Sequence, residues 1–129
     1  MNQILVKVRY GYRGKTRCVI NVLFFSRLKD LRKYARKHST EKSRDLSEAA
    51  GCYVGLESKK YFGLICLWEE IVGAGYFAHE LQHFVFDYIA REMSDNLSDV
   101  NEKLAWMVGD MTAQFWAKYY KLYPEKGQP

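Results

Sequence analysis

The chain has 129 residues and a mass of 15.2 kDa, with 48% hydrophobic and 27% charged residues, enough for one compact domain and too little for two ordinary ones. Its 16% aromatic share argues against disorder, and no apolar run approaches the roughly 20 residues that cross a bilayer. The net charge of +5 is local: Ser26 to Arg44 holds eight Lys or Arg against two Asp or Glu, while the rest of the chain holds 12 basic and 13 acidic residues.

Ile4 to Tyr10 and Thr16 to Phe25 are rich in β-branched and aromatic residues and flank Gly11-Tyr-Arg-Gly14, which predicts an antiparallel hairpin. From Ser26, a candidate cap, Leu28, Leu31, Tyr34 and Ala35 recur at helical spacing, predicting an amphipathic helix to about Lys37 with basic residues on its solvated face. Ser39 to Ser47 is polar and aperiodic, hence a loop. Cys52 to Leu56 and Tyr61 to Trp68 read as two more strands around Glu57-Ser-Lys-Lys60, the second apolar enough to be covered on both faces.

Tyr76, His79, Leu81, Phe84, Val85, Tyr88 and Ile89 suit a largely buried helix from about Gly75 to Met93. Ser94 to Ser98 is turn chemistry, Ser98 or Asp99 caps a last helix to about Tyr120, and residues 121–129 read as a frayed tail. Phe84, Phe86, Tyr88, Trp106, Phe115 and Trp116 are expected to pack between the last two helices. Cys18, Cys52 and Cys66, odd in number and widely spaced, read as buried free thiols. The whole is an α+β domain: a twisted, mainly antiparallel sheet followed by two packed helices. The N-terminus lacks the pattern of a secretory signal, so a cytoplasmic protein is expected.

Within the penultimate helix stands His79-Glu80-Leu81-Gln82-His83, an HExxH sequence. Residues four apart differ by about 40° around a helix and about 6 Å along it, so both imidazoles can reach one metal ion. Glu80, about 100° from His79, lies on the flank, where it can touch a water on that metal. A catalytic zinc needs a third protein ligand and an open position. Glu102 is the candidate, with Asp99 next: eighteen residues separate it from His83, room to finish one helix, turn and start a return. Glu102 shares a helix face with Ala105, Gly109 and Ala113, small residues that permit close approach to a neighbouring helix.

Through His79, Glu80, His83, the interval and Asn101-Glu102, with Asp87-Tyr88 after the motif, roughly Trp68 to Tyr120 resembles the gluzincins. These are zinc metallopeptidases whose third ligand is a downstream glutamate. The resemblance implies a small zincin-like domain, zinc held by His79, His83 and Glu102, and Glu80 as general base in peptide hydrolysis. It also implies that Tyr61 to Trp68 borders the cleft and pairs with an extended peptide substrate. In size and layout the chain is similar to small HExxH proteins of phages and mobile elements.

Trp106 stands where many gluzincins carry an Asp, so Asp87 and Asp110 become the candidates for orienting a histidine. The usual downstream histidine is absent, leaving Tyr119, Tyr120 or His38 to steady an oxyanion. Two other readings accompany the peptidase. One is a non-catalytic zincin-like module that binds metal and a protein partner. The other is a nucleic-acid-associated protease docked by residues 26–44.

Overall fold

The computed structural model describes residues 1–11, 13–39, 45, 46, 48–93 and 97–127. Most of the expected Ser39 to Ser47 loop and the first three residues of the Ser94 to Ser98 turn fall outside these, and the Asp99 side chain is likewise not described.

β1 (Asn2–Val8) alternates as its sequence requires, with Ile4, Val6 and Val8 buried and Leu5 and Lys7 outward. It reverses through Gly11, whose φ of 113° excludes most side chains, and pairs antiparallel with β2 (Cys18–Phe25) from Asn2↔Phe24 to Val8↔Cys18. α1 (Leu28–His38) follows, burying Leu31 and Ala35; Arg27, not Ser26, stands at its N-cap and makes no side-chain cap bond. β3 (Gly51–Gly55) and β4 (Tyr61–Trp68) form a second antiparallel pair.

The strand order is β1-β2-β4-β3, with β4 parallel to β2. The sheet is therefore mixed, because the chain crosses over through α1 and lays β3 outside before inserting β4. The continuous apolar run of β4 is explained by that interior position, covered on both faces. The edge strands are thus β1 and β3, and Tyr61–Trp68, which the gluzincin resemblance implied would pair with a peptide, lies inside the sheet.

One face of the sheet carries Leu23, Phe25, Val54 and Leu64 against α1. The other carries Ile4, Val6, Ile20, Val22, Ile65 and Leu67 against α2 (Tyr76–Glu92) and α3 (Leu97–Leu122). α2 packs over β3 and β4, whereas α3 packs over β1. A 3₁₀ turn, Glu69–Ala74, joins β4 to α2. The expected frayed tail is partly ordered: Pro124–Gly127 forms a 3₁₀ turn, and Tyr123 stacks edge-on to Phe24 at 5.6 Å and accepts a hydrogen bond from the Asn2 side-chain amide.

α3 is rotated from the expected orientation. Val100, Met107, Met111, Phe115 and Tyr119 fill the core, and the Ala105, Gly109, Ala113 stripe is exposed. The two stripes are offset by two residues, about 200° around a helix, so burying the bulky one turns the small one to solvent. Phe86 and Trp106, expected in the core, are 64% and 61% exposed.

The two edges of the sheet differ. Along β1, Gln114 accepts from the Lys7 backbone N-H and donates to its carbonyl at 2.8 and 2.9 Å, and Lys118 donates to the Leu5 carbonyl at 2.6 Å. These side chains occupy groups that a further strand would use. The outer side of β3 has no neighbouring strand among the described residues.

Candidate metal centre

Gly75, at φ 86°, separates the 3₁₀ turn from α2 and sets the phase in which the helix meets the sheet. Phe77, Leu81, Phe84, Val85 and Tyr88 then face inward. His79 and His83 lie on the exposed side, the His79 side chain at 68%. Their ring centres are 5.0 Å apart with planes at 75°. Two imidazoles on one tetrahedral zinc, with Zn–N bonds of about 2.0–2.1 Å, have ring centres about 5 Å apart, a separation the pair matches.

Glu80 turns the other way and is only 3% exposed. Its carboxylate lies beneath the edge strand: a side chain at Gly51 would bring a carbon within 3.1 Å of Oε2, so glycine there keeps the space free. Glu80 Oε2 is 3.9 Å from His79 Nε2. His79 and Glu80, but not His83, line a cleft of 480 Å³ bounded by Ala50, Gly51, Gly75 and Tyr76. The sequence placed Tyr76 only among the packing residues of this helix, not at the site. Its signal was positional, since three and four residues before His79 and Glu80 is one helical turn away.

Glu102 is not beside the histidines. It lines a different cleft, with Gly11, Ala105, Trp106, Gly109, Asp110 and Ala113. Gly51 aligns through Leu67 with Phe24, while Gly11 lies beyond the Val8↔Cys18 pair. The six residue steps from Cys18 to Phe24 measure about 20 Å along the sheet. The interval from His83 allowed a return, but α3 returns over β1 with Glu102 at the opposite end and on the solvent side. Among the described residues no group of three His, Cys, Asp or Glu converges on one point.

The other candidates have partners elsewhere. Asp87 accepts from the Tyr53 hydroxyl at 2.7 Å and pairs with Arg91 at 3.2 Å. Arg91 also donates to the carbonyls of Leu56 and Phe62, so this network ties α2 to the β3–β4 connection. Burial, reinforced by the Asp87 carboxylate, pushes the Tyr53 phenol up and keeps it a donor. Asp110 pairs with Arg9 at 2.8 Å and accepts from Gln114, fastening α3 to β1.

His38 belongs to α1, on the other side of the sheet, its ring 4.3 Å from that of Tyr34. Tyr119 is buried among Phe24, Phe115 and Tyr123, and Tyr120 stacks on Trp116. Both border a crevice with Glu69 and Glu70 rather than the histidine cleft. No helix among the described residues is long and apolar enough to cross a membrane. The chain matches no protein-family model, and neither a curated protein nor a solved structure is significantly similar to it.

Proposed function

We propose that the protein is a zinc-dependent peptidase acting at the cleft between α2 and the start of β3. The observation that carries the reading is the division of labour within one helical turn: two exposed imidazoles at metal-sharing separation, and between them in sequence a buried glutamate beneath an edge strand. His79 and His83 hold the zinc, which when bound supplies Lewis acidity, lowering the pKa of water and polarising a carbonyl. Glu80 takes a proton from water and passes it to the leaving amine. Tyr76, on the cleft wall, is the candidate donor to a developing oxyanion. The open side of β3 accepts an extended peptide as an added strand, while Gln114 and Lys118 close the opposite edge to that use.

The test is metal content together with hydrolysis of an unstructured protein substrate. Glu80→Gln retains zinc and loses about 10²- to 10⁴-fold in turnover. His79→Ala and His83→Ala lose zinc, and Glu102→Ala keeps it. Undiminished turnover in Glu80→Gln rejects the mechanism.

The non-catalytic reading is favoured by one observation, the absence of a third protein ligand among the described residues. It calls for zinc binding without hydrolysis of any peptide, and with a partner bound intact.

A further inference from the structure

At the end of the sheet opposite the histidine cleft, a crevice of 380 Å³ opens between the β1–β2 hairpin and the last turn of α2. Three exposed cations line it, Lys15, Arg17 and Lys59, against a single carboxylate, Glu92. None of the three forms an ion pair with a described carboxylate. The Arg17 guanidinium lies over the Tyr10 ring, 4.4 Å from its centre, which orients its donors and removes water from one face.

Deeper in the crevice the hydroxyls of Tyr10 and Tyr88 are 3.2 Å apart. When two hydroxyls bond to each other one hydrogen is used, and the other remains to be donated elsewhere. Burial pushes the Tyr88 phenol up, so that donor persists at neutral pH.

The complement of three cations set against one carboxylate, with a spare hydroxyl donor, is a compact group with several acceptor oxygens and more than one negative charge. A carboxylate brings one charge, and a cation is repelled. We infer that this crevice binds the phosphate group of a small phosphorylated molecule, a site separate from the metal centre and from the basic face of α1. The cations line one concavity, which suits a single phosphate rather than the repeating phosphates of a nucleic acid.

Calorimetric titration with inorganic phosphate, then with pyrophosphate, at constant ionic strength tests it. Saturable one-to-one binding is expected. Arg17→Ala should weaken it about ten-fold or more, the loss of a charge-assisted hydrogen bond. Lys59→Glu, at an exposed position where the thermal midpoint should not change, should weaken it similarly. Lys29→Ala with Lys33→Ala, on the exposed face of α1, should leave it intact. Binding that does not saturate, or that survives both crevice variants, overturns the assignment. So does a short single-stranded oligonucleotide that binds more tightly than pyrophosphate and is released by the α1 variant.

Discussion

Gly63 of β4 is a sharp probe of the wall against which α2 packs. A methyl group added there would stand 2.7 Å from both Cε1 and the hydroxyl oxygen of Tyr53 and 2.9 Å from Cζ, where carbon contacts normally sit at about 3.5–4.0 Å. The ring cannot yield freely: it is buried, meets Phe84 edge-on at 6.1 Å and donates to Asp87 at 2.7 Å. Overpacking of this kind costs about 1–3 kcal/mol, and swinging the ring away forfeits a hydrogen bond to a charged acceptor, about 1.5–3 kcal/mol.

Against this, replacing glycine in a strand recovers about 0.5–1 kcal/mol. The net expectation for Gly63→Ala is a loss of about 1.5–5.5 kcal/mol, or at least about 5 °C in Tm for a chain of this length. Chemical denaturation in a double-mutant cycle is the assay. With Tyr53→Ala the obstacle is gone, and Gly63→Ala should become neutral or slightly stabilising. A cost below about 0.5 kcal/mol in the wild-type background, or the same cost in both, would refute the reasoning.

Two further expectations concern stability. Phe115 is fully buried, stacked on Phe77 with ring centres 3.8 Å apart, so Phe115→Ala should cost about 3–5 kcal/mol, while Trp106→Ala, at a 61% exposed position, should stay within about 0.5 kcal/mol by the same denaturation measurement. Burial pushes the Cys18 thiol from 9.0 up to about 11 and raises the Cys66 thiol and the Tyr53 phenol as well. In the window between those two values the unfolded chain has released the Cys18 proton and the folded one has kept it. Stability should therefore fall as pH rises above about 9, and Cys18→Ala should flatten that slope in denaturation curves run across the window. A flat wild-type profile from neutral to alkaline pH would contradict the assigned burial.

Much of the architecture was legible locally. The hairpin, the apolar run of β4 and the HExxH helix each carry their period in a short window, and burial confirmed them because a strand or helix with one apolar face has few other ways to hide it. The histidine pair followed from helix geometry alone. Its 5.0 Å ring separation needs no information from the rest of the chain.

What depended on the tertiary structure was everything decided by competition between distant segments. Which of β3 and β4 forms the sheet edge cannot be told from either strand, since a crossover through α1 makes the choice. α3 carries two stripes of similar spacing, and Met107, Met111 and Phe115 took the core because they bury more area, sending Ala105, Gly109 and Glu102 to the other side. An eighteen-residue interval limits how far apart His83 and Glu102 can be. It says nothing of which strand the second helix lies over or which way it is rolled, and together these keep Glu102 away from the histidine pair.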